Sequence, residues 1–278
     1  GCKETTPSKQ VTIHPRISLG FTAGNVCDND SIKLVNTSFL SAGIANYAWD
    51  FGDGNQVLGG AQYHTYDTFG IYDIKLYGVT DQGCVDSLTK RVEVYPTPTA
   101  KYLVNSNCAS TFTSFANNSI IPGQVGVTYL WDFADGFTSI QKSPKHQYAV
   151  IGGYNTELVV ITNNGCVDTA RRSHNVWAVP EPDYKIFGES ISEVSELCIY
   201  ETANFTDFST IDAGNIINWV WDLGDASSKY TKNIQHDYAI PRVYEVELTV
   251  ESDSGCTASK LKKIEMLPKP DVQFSFRD

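Results

Sequence analysis

The chain has 278 residues, of which 41% are hydrophobic and 12% aromatic, and it contains 21 glycines and 11 prolines. Acidic residues outnumber basic residues by 32 to 21, and the net charge of −11 disfavours nucleic acid and anionic membrane surfaces as partners, because both bind basic faces. No apolar run approaches the roughly 18 residues that span a bilayer. The composition favours short strands separated by turns over helices.

The first ten residues predict a flexible tether, since they contain no aromatic residue and no alternating pattern. A Gly1-Cys2 start followed by a polar segment with Pro7 is similar to the cut site of a bacterial lipoprotein. That resemblance implies that Cys2 carries lipid and that the protein is extracytoplasmic, anchored to the bacterial outer membrane or cell surface. An unrelated terminal thiol, with Gly1 left over from cloning, is the alternative.

The first strands follow the tether. Residues 11–15 predict an edge strand, because Pro15 cannot donate to a sheet ladder, and residues 32–38 predict a second strand. Tyr47, Trp49 and Phe51 lie at alternate positions, so they share one face of a third strand. The Asp-Gly pair that follows this strand predicts a hairpin turn.

The later part of this segment continues the strand pattern. Tyr72, Ile74 and Leu76 share one face of a further strand, which ends at a turn over residues 80–83 and leads into Cys84. No stretch of the chain shows a sustained helical period. An all-β fold is therefore predicted.

The same order of elements occurs three times. The motif Trp-Asp-Phe-Gly-Asp-Gly at residues 49–54 returns with small changes at 131–136 and 221–226, a spacing of about 80 to 90 residues, which is the size of a small domain. Residues at fixed offsets from the motif are a histidine (His64, His146, His236), two tyrosines (Tyr66, Tyr148, Tyr238 and Tyr72, Tyr154, Tyr244) and a Gly-Cys pair (83–84, 165–166, 255–256). The chain is therefore predicted to be an array of three domains.

This motif, the His-x-Tyr and the Gly-x-Tyr strand resemble the polycystic kidney disease (PKD) domain. The resemblance covers nearly the whole chain and implies three tandem immunoglobulin-like (PKD-like) β-sandwich domains in an extended array. Ala134 and Ala226 replace motif glycines, and these changes leave the geometry of the third turn open. The residues that the resemblance makes structural are Trp49, Asp50, Asp53, Trp131, Asp132, Asp135, Trp221, Asp222 and Asp225.

Pro-x-Pro segments mark the joints between the domains. The predicted boundaries are a tether at 1–10, domains at 11–95, 96–179 and 180–267, and the start of a further repeat or a terminal strand at 268–278. Because Pro-x-Pro is stiff and extended, the domains are expected to form a string. The last segment also predicts that the natural chain continues past Asp278, or that this strand pairs elsewhere.

Six of the seven cysteines form one pair in each repeat, at nearly equal spacing. The repeated spacing predicts three disulfides within domains, Cys27–Cys84, Cys108–Cys166 and Cys198–Cys256, each worth roughly 4 kcal/mol in the chain-entropy model. Persistent disulfides require an oxidising compartment. Three pairs of reduced, buried thiols are the alternative.

The motif aspartates are predicted to cap backbone amides, because carboxylates that flank a turn in every repeat belong to the fold. Calcium is the alternative role for them, although the loop lacks the ligand series of an EF-hand; no other cofactor or metal is expected. His14 and His174, which are not repeated, are too few for a zinc site. No catalytic motif is present, so the chain is predicted not to be an enzyme.

The candidate ligand-binding residues are aromatic residues that break the repeat: Trp177, Tyr230 and Phe137. Exposed rings can stack on sugar faces, so polysaccharide is the first candidate ligand and a surface protein the second. The alternative is that each ring packs into a joint between domains.

The predicted function is that of a monomeric, non-catalytic cell-surface lipoprotein that acts as a binding or spacer module and touches the membrane only through its lipid. The resemblance implies such a role, because PKD-like domains serve as spacers and as adhesion or carbohydrate-associated modules. The alternative is the stalk of a larger secreted enzyme or motility-associated adhesin whose functional domain lies C-terminal to this chain.

Overall fold

A computed structural model describes Lys9 and residues 13–60, 62–124, 126–186, 194–199 and 201–269. The predicted tether with Cys2 and the predicted further repeat lie outside these residues, except for Lys9, Pro268 and Lys269. Residues 13–15 are not in a strand, so the predicted edge strand at 11–15 is wrong in this part. None of the described segments forms a helix that is long and apolar enough to cross a membrane.

The described chain is almost entirely β-structure, which confirms the predicted all-β class and the three tandem immunoglobulin-like sandwiches. The first sandwich contains β1 (Phe21–Thr22), β2 (Val26–Cys27), β3 (Ser31–Asn36), β4 (Ala45–Asp50), β5 (Gln56–Leu58), β6 (Gln62–Thr65), β7 (Gly70–Thr80) and β8 (Val85–Tyr95). The second contains β9 (Tyr102–Val104), β10 (Asn107–Cys108), β11 (Phe112–Asn117), β12 (Val127–Asp132), β13 (Thr138–Ser139), β14 (Lys145–Gln147), β15 (Gly152–Thr162) and β16 (Val167–Trp177), with a 3-10 turn at Pro122–Gln124. The third contains β17 (Tyr184–Ile186), β18 (Val194–Cys198), β19 (Thr202–Asp207), β20 (Ile216–Asp222), β21 (Ser228–Lys229), β22 (Ile234–Asp237), β23 (Val243–Ser252) and β24 (Thr257–Leu267).

The strand order is the same in all three sandwiches. Each has a three-stranded sheet, with orders β1-β3-β6, β14-β11-β9 and β17-β19-β22. Each also has a five-stranded sheet, with orders β2-β8-β7-β4-β5, β10-β16-β15-β12-β13 and β18-β24-β23-β20-β21. In the five-stranded sheets a short edge strand that ends in a cysteine pairs in parallel with the last strand of the sandwich, so Cys27 lies opposite Tyr95, Cys108 opposite Trp177 and Cys198 opposite Leu267.

Alternation along the long strands builds the cores. Trp49, Trp131 and Trp221 are 1%, 1% and 0% exposed, and in the first sandwich Ile74 and Leu76 pack into the same cluster as Trp49. Successive side chains of a strand point to opposite faces, so the residues between them remain at the surface. Truncating one of these tryptophans to alanine would therefore cost about 3 to 5 kcal/mol.

The chain divides into two compact units. One comprises Gly1–Tyr102, Asn118–Leu130 and Leu158–Ala170, and the other Leu103–Asn117, Trp131–Glu157 and Arg171–Asp278. The first unit contains the first sandwich, and the second unit contains the third sandwich.

The cysteines pair between neighbouring sandwiches, so the predicted pairing within domains is wrong. The bonds are Cys27–Cys166 and Cys108–Cys256, and the free cysteines are Cys84 and Cys198. Each bond lies within one compact unit. With sequence separations of 139 and 148 residues, each bond would contribute about 5 kcal/mol in the chain-entropy model.

The length of one strand explains why the predicted pairing fails. Cys84 immediately precedes β8, and Cys27 lies opposite Tyr95 at the far end of β8. Because β8 has 11 residues and a strand rises about 3.3 Å per residue, the two cysteines are held roughly 30 Å apart. A disulfide requires Cα atoms closer than about 7 Å. The cysteine that can reach Cys27 therefore belongs to the next sandwich.

Candidate functional site

The repeated motif forms a hydrogen-bonded turn in each sandwich. In the first, Oδ1 of Asp50 accepts the backbone N–H of Gly52 at 2.9 Å, and Oδ1 of Asp53 accepts that of Asn55 at 3.0 Å. The second carboxylate oxygen of Asp53 lies 2.7 Å from Nε2 of His64. The equivalent aspartate and histidine are 2.6 Å apart in the second sandwich and 2.7 Å apart in the third.

Aromatic packing holds the motif histidine in place. The ring of His64 stacks on Phe51 at 4.0 Å and meets Tyr66 edge-on at 4.6 Å. The Tyr66 hydroxyl donates to the backbone carbonyl of Phe51 at 2.9 Å, and burial raises its pKa well above the usual range. The His–Tyr ring contact and the tyrosine hydrogen bond recur in all three sandwiches, whereas Leu223 replaces the stacked phenylalanine in the third. The recurring contacts connect the turn to the following strands, so their role is structural.

The hydrogen bonds of the motif lower the pKa of two of its carboxylates, those of Asp53 and Asp225. Burial by itself raises the pKa of Asp53, but the hydrogen bonds from Asn55 and His64 outweigh burial and lower the pKa below its ordinary value. The pKa of Asp225 is lowered for the same reason, by Ser227 and His236 acting against burial. Among the described residues no group of three His, Cys, Asp or Glu side chains is placed to hold a metal ion.

A groove beside Trp177 is one of several ligand-sized concavities in the described part of the chain. It has a volume of about 610 Å³ and is lined by Gly153, Asn175 and Trp177 of the second sandwich and by Asp253 and Ser254 of the third. Trp177 is 39% exposed there, so part of its ring is free to contact a ligand. An aromatic surface with a few polar groups at its edge is typical of small-molecule sites.

Two adjacent glycines, Gly152 and Gly153, line this groove and leave space in it. Gly153 occupies the position that Ile71 has in the first sandwich and Val243 in the third. A Cβ atom added to Gly153 would meet only Oδ1 of Asn175, at 3.4 Å, and one added to Gly152 would meet nothing within 4 Å. A branched side chain at this position would therefore fill the groove. An alignment of the repeats reveals this glycine, because the other two repeats have a branched residue there, whereas aromatic residues alone do not point to it.

The three candidate aromatic residues do not form one site. Tyr230 and Phe137 are 68% and 66% exposed, but neither lines the groove beside Trp177. The ring of Phe137 lies 5.7 Å from that of His146, at the motif turn of its own sandwich. Cys2, the candidate lipidation site, lies outside the described residues.

Comparison with known proteins identifies the family. Residues 14–96, 95–176 and 189–266 each match the sequence profile of the PKD domain, and together these segments cover most of the chain. The chain belongs to the PKD-domain family. The resemblance noted from the motif is confirmed, and PKD domains are non-catalytic modules.

The relatives of these PKD sandwiches are parts of larger proteins. The chain is 24% identical to human polycystin-1 over 291 residues, which is 90% of this chain and 6% of that protein. It is 39% identical to a microbial collagenase of Vibrio alginolyticus over 75 residues, which is 26% of this chain and 9% of that protein. The crystal structure of the PKD1 domain from the Vibrio cholerae metalloprotease PrtV is 27% identical, with a TM-score of 0.27, and the match covers 29% of this chain and 96% of that domain. The family and the two disulfides indicate an extracellular or secreted protein.

Proposed function

We propose that this chain is a non-catalytic binding and spacer module of a bacterial surface protein, and that it contacts polysaccharide at the groove beside Trp177. The observation that carries the proposal is that the partly exposed Trp177 ring and two glycines without side chains line the same groove. A sugar ring presents apolar C–H faces to an aromatic ring and hydroxyls to its surroundings. Asn175, Asp253 and Ser254 supply polar groups for those hydroxyls at the edge of the groove.

The disulfides support the spacer role. Each bond joins a sandwich to the next one, so a ligand that binds beside Trp177 meets parts of two sandwiches that are covalently linked by Cys108–Cys256. A linked pair loses less freedom on binding than two separately moving sandwiches would. We place the protein outside the cytoplasm, where the chain carries its binding surface away from the membrane.

A glycan array probed with the soluble chain tests the ligand. Trp177→Ala is expected to lower the affinity for any bound polysaccharide at least about tenfold, because stacking and apolar burial are lost. Gly153→Val is expected to weaken binding as well, because it places a branched side chain in the open space of the groove. Tyr230→Ala removes an exposed ring outside the groove and should change nothing. A chain that binds no glycan, or one whose binding survives both groove variants, contradicts the proposal; a surface protein would then be the next ligand class to test.

Anchoring through lipid on Cys2 is a separate part of the proposal. Its support is the Gly1-Cys2 start followed by a polar, proline-containing segment. Expression with a bacterial signal sequence and a radiolabelled fatty acid should label the wild-type chain but not Cys2→Ser. Equal labelling of the two chains would remove the anchor and leave the groove proposal intact.

A second function is favoured by the relatives. The collagenase and PrtV matches are proteases by name, and the shared region is a small part of each, 9% and 14% of the respective lengths. This chain could likewise be the stalk of a larger secreted enzyme or motility-associated adhesin. The length of the natural reading frame distinguishes the two: a long continuation with a catalytic or adhesive domain favours the stalk, and a stop shortly after residue 278 opposes it.

A further inference from the structure

Each disulfide between neighbouring sandwiches, called a junction below, joins two kinds of cysteine. The free cysteines, Cys84 and Cys198, are one of each kind. In both observed bonds, a cysteine at the end of a parallel edge strand, Cys27 or Cys108, joins a cysteine in the turn of the long hairpin of the next sandwich, Cys166 or Cys256. Cys84 is a hairpin cysteine and Cys198 is an edge-strand cysteine, and both are free in the described part of the chain.

Cys84 has the backbone geometry of the bonded hairpin cysteines. Its N–H donates to the side-chain oxygen of Thr80 at 3.0 Å, and its carbonyl accepts the N–H of Thr80 at 2.9 Å. Cys166 and Thr162 make the same two bonds, at 3.1 and 2.9 Å. Cys256 is held by Ser252 in the same way. The hairpin thus presents the Cys84 thiol as it presents the sulfurs that are already bonded.

Cys198 has the geometry of the bonded edge-strand cysteines. It lies opposite Leu267 in a parallel pair, and the next residue, Ile199, donates its N–H to the Leu267 carbonyl at 2.9 Å. Cys27 and Cys108 lie opposite the corresponding residues of their own last strands, with equivalent hydrogen bonds at 2.8 Å. The third sandwich therefore presents, at Cys198, the same edge-strand geometry that Cys27 and Cys108 have in their junctions.

Burial distinguishes the unused hairpin cysteine from the used ones. Cys166 and Cys256 are 1% and 0% exposed, whereas Cys84 is half-buried in spite of the same hairpin geometry. Cys198 is half-buried, as Cys27 and Cys108 are. Both free thiols are therefore open to an incoming sandwich.

We propose that Cys84 and Cys198 form a head-to-tail disulfide between two copies of this chain. A second copy fits because each copy carries both halves, in the geometry that the two internal junctions already use. In the reaction, the Cys198 thiolate attacks a small disulfide oxidant such as glutathione disulfide and releases one glutathione thiolate. The Cys84 thiolate of the other copy then attacks the Cys198 sulfur of the mixed disulfide and releases the second glutathione. Two protein thiols and one glutathione disulfide become one protein disulfide and two glutathione thiols.

Acidic residues near both thiols are expected to slow the cross-linking reaction at low ionic strength. Asp81 and Asp86 lie near Cys84 in sequence, and Glu196 and Glu201 lie near Cys198, so the two halves repel each other at low ionic strength. Acidic residues also flank the bonded Cys27, at Asp28 and Asp30, so repulsion of this kind is compatible with a junction. The cross-linking rate is therefore expected to rise with added salt.

Mixing two single variants tests the proposal. In a Cys2→Ser background, Cys84→Ser retains only the edge-strand thiol and Cys198→Ser retains only the hairpin thiol. With glutathione disulfide present, the mixture is expected to form a Cys198–Cys84 heterodimer at least about tenfold faster than either variant forms a homodimer, as measured by non-reducing electrophoresis and peptide mass mapping. The chain with both thiols should form longer head-to-tail chains, and the double variant should stay monomeric.

Two outcomes would overturn the proposal. One is that the mixture forms no heterodimer although both thiols react with an alkylating reagent, which would show that accessible thiols do not recognise each other. The other is that homodimers form as fast as the heterodimer, which would show that the cross-link reflects exposed thiols without a head-to-tail geometry. The folding of the serine variants is verified by the two internal disulfides, which must remain in the mass map.

Discussion

At the scale of single residues, the side chains that resemble a catalytic set are part of the fold. In each sandwich an aspartate hydrogen-bonds a histidine, and a tyrosine ring meets that histidine edge-on. The lowered pKa of Asp53 is a property that catalytic carboxylates often share. Yet the hydrogen bonds of the cluster end on the backbone of its own turn, at Asn55 and Phe51. A shifted pKa at this site therefore reports stabilisation of the turn.

The buried His174 is the residue that fits its surroundings least well. It is 6% exposed, neither ring nitrogen has a hydrogen-bond partner among the described residues, and burial lowers its pKa. The equivalent core positions hold Val92 and Ile264. The repeat register places His174 at an apolar core position, whereas its residue type alone suggests a polar or metal-binding role.

Replacing His174 with valine should stabilise the protein. The variant removes an unsatisfied buried polar group, so we expect the free energy of unfolding to rise by about 1 to 2 kcal/mol at pH 7.5. Because the folded-state pKa of His174 lies below its unfolded value near 6.5, the unfolded state binds more protons as the pH falls, and the wild type loses stability below about pH 6.5.

Urea titrations at pH 7.5 and about pH 5.5 measure this effect. The stability gap between His174→Val and the wild type should widen at the lower pH, whereas the exposed His14→Gln control should follow the wild type at both. A gap that is equal at the two pH values would mean that the His174 imidazole is not held neutral in the fold.

At the scale of elements, the motif turn keeps one conformation despite its substitutions. The first turn position has φ of 79° at Gly52, 65° at Ala134 and 75° at Gly224, and the later position has φ of 71° at Ala226. The third turn, whose geometry the sequence left open, therefore has the same left-handed residues as the first. An L-residue in that region carries a strain of about 1 to 2 kcal/mol, which Ala134 and Ala226 bear and the glycines avoid.

Exchanging glycine and alanine between the turns should change stability in opposite directions. Gly224→Ala is expected to lower the free energy of unfolding by about 1 to 2 kcal/mol, because its Cβ would lie 2.6 Å from the backbone oxygen of Glu245 at a φ of +75°. Ala134→Gly should raise it by up to about 1 kcal/mol through release of strain. Urea titration of both variants beside the wild type provides the comparison, and a stabilising Gly224→Ala would contradict the argument.

At the scale of the whole molecule, the sequence was sufficient for the sandwiches and insufficient for their connections. The alternation around Trp49 and the repeated turns determine each sandwich locally, so periodicity alone predicted them. Cysteine spacing is ambiguous in a repeat, because pairing within a domain and pairing with the next domain are equally periodic. Only the 11-residue length of β8, and the parallel pairing of Cys27 with its far end, separate the two pairings. Both depend on strand register, which spacing does not contain.

The groove, like the disulfides, could be predicted only in part from the sequence. Trp177 was found as a residue that breaks the repeat, but its partners Asp253 and Ser254 come from another sandwich and carry no local signal. Tyr230 and Phe137 break the repeat equally well and do not line the groove. Whether an aromatic residue lines a groove thus depends on its neighbours in space, which a single sequence leaves undetermined.

Peptide mass mapping of the unreduced, alkylated monomer tests the central claim most directly. If disulfides join each sandwich to the next, the map will contain cross-linked peptides with Cys27–Cys166 and Cys108–Cys256, and Cys84 and Cys198 will be alkylated. Cross-links of Cys27 to Cys84, of Cys108 to Cys166 and of Cys198 to Cys256 would contradict it, because each sandwich would then be closed on itself and no bond would join it to its neighbour.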